Sequence, residues 1–267
     1  MKELKNKYGD WALIIGAAEG IGEAFSIQLA SLGFNLVMLD KNESTLLSLG
    51  EKLKTDFGIQ IRSLQLDLID PDTSIKAMNE IADLKCRLLI YNAAFSLIKQ
   101  FSEHSSEDLE RYLQVNIASP LRLVHSFSNY LKAKNEGGGI LLMSSLAGLL
   151  GLQYIAPYAA SKAFTWNLAE ALHHELKPFG IDVSACIAGA TLSQTYINTK
   201  PKYGSIKPQL QESSEVAKTA LEKLGKRAFF ISGFSNRVNY FILTRILPRK
   251  MAGRMANKVI KGMYDYV

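Results

Sequence analysis

The chain has 267 residues, 48% of them apolar, and a net charge of +6, which suits one large α/β domain around a single core. No stretch reaches the ~18 consecutive apolar residues of a membrane span, and Met1 to Asp10 is polar with no signal-peptide core, so the expected location is the cytoplasm. Cys86 and Cys186 sit in or beside apolar runs, far from any metal-ligand spacing, and read as two buried, reduced thiols with no metal site.

The charge is uneven. Between Lys218 and Lys261 eleven Lys and Arg face one acid, Glu222, a balance of +10 that leaves −4 on the rest of the chain. Basicity confined to a tail, with no recognisable reading motif, argues against a nucleic-acid partner.

In chain order, short apolar runs alternate with helical patterns, as βαβ units require. The first strand, Trp11 to Ile15, runs into Gly16-Ala17-Ala18-Glu19-Gly20-Ile21-Gly22 and a helix from Ile21 to Leu32. Glycines at a strand–helix junction let a pyrophosphate approach the backbone and the helix N-terminus. The second strand, Asn35 to Leu39, ends at Asp40, where a carboxylate would accept from both ribose hydroxyls of NAD and repel the 2′-phosphate of NADP. Glu19 adds charge of the same sign. Lys41 could meet a phosphate, neutralise Asp40 or face solvent.

A helix from Ser44 to Phe57 leads to the third strand, Gln60 to Leu66, after which Asp67 is an adenine contact or a strand-end cap. The helix Thr73 to Ala82 and the strand Arg87 to Tyr91 follow. Apolar Phe95, Leu97, Ile98 and Phe101 come next, then a long helix from Ser106 to Lys134. Within it Pro120 has no N–H to donate to the Asn116 carbonyl, which predicts a kink.

The strand Gly139 to Ser144 delivers Ser145, and a helix from Tyr158 to Lys177 carries Tyr158 and Lys162. At i and i+4 these two share a face, so the ammonium could favour a phenolate that would otherwise need about 4 kcal/mol to form near pH 7. The same spacing occurs at Tyr130/Lys134, Tyr196/Lys200 and Tyr203/Lys207, but thirteen residues before those tyrosines stand Ile117, Val183 and Ala190; only Tyr158 has a serine there, Ser145. Adjacent His173 and His174 point to different helix faces and do not make a metal pair.

After the strand Ile181 to Ile187, the segment Ala190 to Gln211, with Tyr196, Ile197 and Tyr203, is placed to act as a lid. Leu149, Leu150, Leu152, Tyr154 and Ile155, with the apolar residues after the fourth strand, suit the walls of a pocket for a bulky, water-poor small molecule. A helix from Ser214 to Leu224 and a strand from Arg227 to Ile231 complete the sheet. The expected division is a catalytic domain over 1–234 and a tail over 235–267. In the tail, Asn236 to Leu247 and Lys250 to Tyr264 form two basic amphipathic helices with Phe241, Ile242, Ile246, Met251, Met255, Val259 and Ile260 as apolar positions. They either pack on the domain or a second subunit, or lie on an anionic membrane surface.

With Gly16-x-x-x-Gly20-x-Gly22, Asp67, Asn92-Ala93-Ala94, Asn116, Ser145, Tyr158-x-x-x-Lys162, Gly189, Thr191 and Ser193 in place, the chain resembles the short-chain dehydrogenase/reductase family from Trp11 to about Ile231. The resemblance implies a single doubly wound, Rossmann-type α/β domain with a parallel seven-stranded sheet and a C-terminal helical extension, working as a homodimer or homotetramer. It implies hydride transfer between NAD, with NADP as the alternative, and a secondary alcohol or ketone; a non-catalytic dinucleotide-binding scaffold is the alternative from another class. Tyr158 would exchange the proton, Ser145 hold the substrate oxygen, Lys162 hold the nicotinamide ribose, and Asn116 hold a water in a proton relay. Expected cofactor contacts are Gly16, Glu19, Gly20, Ile21, Gly22, Asp40, Asp67, Leu68, Asn92, Ala93, Tyr158, Lys162, Gly189 and Thr191. Expected substrate contacts are Phe95, Ser145, Leu152, Tyr154, Tyr158 and Tyr196. Ile15, Ala94 and Ala188 depart from the family's common Thr, Gly and Pro.

Overall fold

Apolar runs without polar alternation belong to strands covered on both faces, the condition of a parallel sheet between helical layers. The computed structural model describes residues 3–203 and 208–264, and Lys207 of the Tyr203/Lys207 pair lies outside them. In chain order the elements are α1 (Glu3–Tyr8), β1 (Trp11–Ile15), α2 (Gly20–Ser31), β2 (Asn35–Asp40), α3 (Glu43–Phe57), β3 (Ile61–Gln65), α4 (Thr73–Ile81) and β4 (Cys86–Tyr91). Then come α5 (Ser106–Leu113), α6 (Ser119–Ala133), β5 (Gly138–Ser145), α7 (Ala156–Leu176), β6 (Ile181–Ala188), β7 (Thr191–Leu192) and α8 (Gln194–Asn198). The last are β8 (Gln211–Glu212), α9 (Ser213–Lys223), β9 (Phe229–Ile231), α10 (Phe234–Phe241) and α11 (Arg249–Met263).

Seven strands form one parallel sheet in the order β3-β2-β1-β4-β5-β6-β9, and they are the seven expected. Successive side chains of a strand point to opposite faces. Leu13, Ile15, Val37 and Leu89 therefore meet Ala77, Phe127 and Ala169 of α4, α6 and α7 on one side. Ile14, Leu36, Met38 and Ile90 meet Phe25, Leu46 and Ala217 of α2, α3 and α9 on the other. β1 lies between β2 and β4, so the chain reverses direction across the sheet there and opens a crevice at the strand ends.

Two features differ from expectation. The polar N-terminus forms α1, because Tyr8 is buried against the sheet with its hydroxyl donating to Asp182 at 2.7 Å. The long helix after Ser106 is not simply kinked. Between α5 and α6 it widens into a π-helical stretch, Gln114–Ala118, in which the Ser119 N–H reaches back to the Gln114 carbonyl. Pro120 removes one i+4 donor and the wider turn absorbs that loss. In the tail, of the expected apolar positions only Val259 and Ile260 escape exposure; Phe241, Ile242, Ile246, Met251 and Met255 face solvent in the single chain.

Candidate active site

The turn after β1 is closed on itself. Gly16 has φ +76° and a Cβ there would stand 2.8 Å from the backbone of Ala93, while a Cβ on Gly22 would strike the Gly16 carbonyl oxygen. Gly20, at φ +58°, opens α2 opposite Ser193. The glycines are thus required by the protein's own turn, and the turn presents the first N–H groups of α2 toward a groove bordered by Glu19, Leu192, Ser193 and Ile197. A helix N-terminus in a cradle that side chains would fill suits a dinucleotide pyrophosphate.

Asn92 fastens that turn to β4, its amide donating to the Gly16 carbonyl at 2.8 Å, while the Asn92 and Ala93 N–H groups both donate to Ile15 at 3.0 Å. Asp40 sits beside the same turn and accepts from the Ala18 N–H at 3.0 Å and the Asn42 N–H at 3.1 Å. Asn42 also donates to Glu19 at 3.2 Å, which brings the two acids to one corner. Lys41 is exposed and makes no ion pair with Asp40 among the described residues. Asp67 accepts from the Ile69 N–H at 3.1 Å and lies 3.8 Å from the Arg111 guanidinium, with Leu68 buried behind it. Ile21 packs on the core. Gly189 admits the Asn236 side chain where a Cβ would stand, and the buried Thr191 hydroxyl donates to the Gly189 carbonyl at 3.1 Å.

Ser145, Tyr158 and Lys162 are brought together where β5 ends over α7. The Ser144 hydroxyl donates to the Lys162 carbonyl at 2.8 Å, and the Lys162 ammonium donates to the Met143 carbonyl at 2.8 Å. That ammonium lies 5.6 Å from the centre of the Tyr158 ring and is 6% exposed. Burial without a carboxylate partner pushes its pKa down from 10.5 to about 8. Burial raises the Tyr158 phenol above its ordinary value, and the neighbouring Ser145 hydroxyl acts in the opposite direction. An adjacent ammonium by itself predicts a lowered phenol pKa; here desolvation is the larger effect.

Asn116 is buried, and its amide oxygen accepts from the Phe95 N–H at 2.7 Å. Its amide nitrogen donates to the Phe95 carbonyl at 2.9 Å and to the Ser161 hydroxyl at 3.0 Å, and Ser161 donates to the Tyr158 carbonyl at 2.8 Å. Ser161 and Gly148 were not singled out from the sequence. A Cβ on Gly148 would meet the backbone of Lys162 and Ala163 within 2.8 Å, so this glycine lets the Leu146–Leu149 turn press on α7. A glycine in a short turn gives no signal of the helix it touches.

The apolar wall is built from two distant parts of the chain. Leu152, Ile155 and Ala159 form a buried cluster, and Ile98, Tyr158, Ala256 and Ile260 pack against it. Asn257 on α11 accepts from the Gln153 N–H at 2.7 Å, and its amide donates to the Gly151 carbonyl at 2.9 Å. Tyr154 between these anchors has φ +64°, a strained conformation for a tyrosine, and its carbonyl accepts from the Lys99 N–H at 3.0 Å. Phe95 stands edge-on to Tyr112 at 4.8 Å. Phe101, expected on this wall, is 64% exposed and neighbours His104 instead. In the expected lid, the Tyr203 hydroxyl donates to the Tyr196 hydroxyl at 3.2 Å, and the Lys202 N–H donates to the Met263 carbonyl at 2.9 Å.

A doubly wound sheet with a glycine-lined helix start at its switch point, and beside it a half-buried Ser145 and Tyr158 over a buried Lys162, is the arrangement of a nicotinamide-dependent oxidoreductase. A family model for the short chain dehydrogenases matches residues 10–204, and the chain belongs to that family, whose chemistry is hydride transfer at an alcohol or ketone. The 7beta-hydroxysteroid dehydrogenase of Mediterraneibacter gnavus is 30% identical over 241 residues, covering 88% of this chain and 90% of the relative. The very-long-chain 3-oxoacyl-CoA reductase of Meyerozyma guilliermondii is 29% identical over 247 residues, 88% of this chain and 70% of the relative. A solved structure from a study of 7beta-hydroxysteroid dehydrogenase stereoselectivity superposes with a TM-score of 0.86 at 25% identity, covering 95% of this chain and 98% of that one. A short-chain dehydrogenase from Sphingobium yanoikuyae in complex with NADPH shares the fold, with a TM-score of 0.76 at 24% identity, over 88% of this chain and 93% of that one.

Proposed function

We propose that this enzyme moves hydride between NAD(H) and a bulky, apolar secondary alcohol or its ketone, steroid-like or acyl in character. The cofactor preference rests on Asp40, whose carboxylate stands where an adenosine ribose would meet the end of β2 and beside Glu19. The nicotinamide supplies the hydride acceptor or donor. Tyr158 Oη exchanges a proton with the substrate oxygen, which the Ser145 hydroxyl also binds. Lys162, with its pKa near 8, is predominantly charged at pH 7, where it favours loss of the phenol proton and can hold a ribose hydroxyl. The Asn116 side chain is committed to Phe95 and Ser161 and holds the site's shape, so any water relay there would use its backbone carbonyl. The substrate class is supported by the Leu152–Ile155–Ala159 wall and by relatives named for steroid and very-long-chain acyl substrates. Turnover of a panel of bulky secondary alcohols with NAD and with NADP, read by nicotinamide absorbance, tests the whole reading.

Two variants probe its parts. Asp40→Asn keeps an acceptor for the Ala18 N–H but removes the charge, and Lys41 is free to meet a 2′-phosphate. The ratio of kcat/KM for NADP to that for NAD should rise about ten-fold, or about 1.4 kcal/mol; an unchanged ratio, or a wild type that already prefers NADP, rules out the role given to Asp40. Asn257→Leu releases Gly151 and Gln153 and frees strained Tyr154. KM for the best bulky substrate should rise about ten-fold, about 1.4 kcal/mol, with kcat and cofactor affinity little changed. A fall in kcat alone would show that the tail does not shape the substrate wall.

A further inference from the structure

α10 is turned inside out. Amphipathic helices bury the stripe of apolar residues at i, i+4, i+7 and i+8, yet here that stripe, Phe234, Val238, Phe241 and Ile242, is the exposed one, with Phe234 73% exposed. The opposite side carries Asn236, buried and donating to the Ser232 carbonyl at 2.8 Å, and Tyr240, which meets the Trp166 ring at 6.0 Å. The exposed stripe continues through Ile246, 61% exposed, to Met251 and Met255 on α11.

Cations share this surface. Arg237, Arg245, Arg249, Lys250, Arg254, Lys258 and Lys261 are all exposed, and none has an ion pair among the described residues. From Lys223 to Tyr264 the sequence contains no Asp or Glu. The Arg237 guanidinium lies over the Phe234 ring at 5.7 Å, so charge and apolar surface interleave within single contacts.

We propose that this face, α10 through α11, docks on an anionic lipid surface. A second copy brought face to face by a twofold axis would set the same cations against each other with no acid to offset them, which costs association energy. An anionic bilayer surface complements both properties: acyl chains receive Phe234, Phe241 and Ile246, and headgroup charge meets the arginines and lysines. No helix among the described residues is long and apolar enough to cross a membrane, so the contact is peripheral. The exposed side chains of this face are distinct from Ala256, Asn257 and Ile260, which turn to the apolar wall beside Tyr158, and lipid binding is measured without turnover.

The test is sedimentation of the purified full chain with vesicles of phosphatidylglycerol and phosphatidylcholine, and with phosphatidylcholine alone. Ionic strengths of about 0.01 M and about 1 M give screening lengths of about 30 Å and about 3 Å. The chain should pellet with the anionic vesicles at low salt, bind neutral vesicles at least ten-fold more weakly, and release at high salt. The double variant Phe241→Ser/Ile246→Ser, with both changes on exposed side chains, should weaken anionic binding at least ten-fold with an unchanged melting curve. Absence of pelleting at low salt overturns the proposal, as does equal binding to neutral vesicles. Loss of a concentration-dependent dimer in the double variant, with no lipid binding by the wild type, would assign the face to a second copy instead.

Discussion

Tyr158→Phe should abolish turnover while leaving cofactor affinity within a few-fold. The change deletes one oxygen from a half-buried ring packed on Leu152, Ile155 and Ala159, so that wall keeps its packing. What disappears is the acid–base group for the substrate oxygen, a contribution typically of 10²–10⁴. A loss of about 10³-fold in kcat/KM, equivalent to about 4 kcal/mol of transition-state stabilisation, is expected. Steady-state kinetics together with cofactor titration by fluorescence checks both halves. A variant that keeps a tenth of wild-type activity would show that the proton travels by another group.

Lys162→Met should yield a more stable and inactive protein. A buried ammonium whose pKa falls from 10.5 to about 8 on folding opposes the folded state by about 3 kcal/mol at pH 7. Replacing it also forfeits the bond to the Met143 carbonyl, worth about 1 kcal/mol, so a net gain of about 2 kcal/mol is expected. The pH dependence distinguishes this from ordinary repacking. Below pH 8 folded and unfolded chains both hold the lysine proton and the full cost applies. Between pH 8 and 10.5 the unfolded chain still holds it and the folded one does not, so wild-type stability rises relative to the variant. Denaturant unfolding at several pH values should show the advantage of the methionine shrinking across that window. A variant that is less stable at pH 7, or a difference that ignores pH, would mean that the ammonium is better solvated than its surroundings imply.

Much of this site could be read from residue spacing, because the sheet converts spacing into place. Ser145 at the end of a buried strand and Tyr158 and Lys162 on the following helix meet for the reason that β5 and α7 are adjacent and consecutive. Spacing alone was not enough: Tyr130 and Lys134 share the same interval, and there the ammonium does reach the phenol, at 3.1 Å, on an exposed helix end with no serine beside it. What stayed hidden were partners joined across long stretches of chain. An amphipathic pattern shows that α11 has an apolar side, but not that Ile260 would rest against Leu152, or that Asn257 would hold Gly151. The pattern of α10 showed an apolar stripe but not whether the domain would cover it, and in this chain the stripe is exposed. The Asn116 amide partners and the Gly148 contact were likewise unreadable, being set by loop paths that leave no periodic trace.

The construction of the apolar wall proposed to face the substrate separates two kinds of change that the chain can accept. The groups proposed to move a proton are anchored to β5 and α7, whereas Ala256, Asn257 and Ile260 reach the apolar wall from the last helix, far along the chain. Substitutions, or even a replaced ending, in that helix can redraw which molecules fit without disturbing Ser145, Tyr158 or Lys162. An exchange of residues 249–263 for a differently shaped helix is therefore a route to altered selectivity on a retained chemical centre, in the way a tool keeps its drive and changes its head.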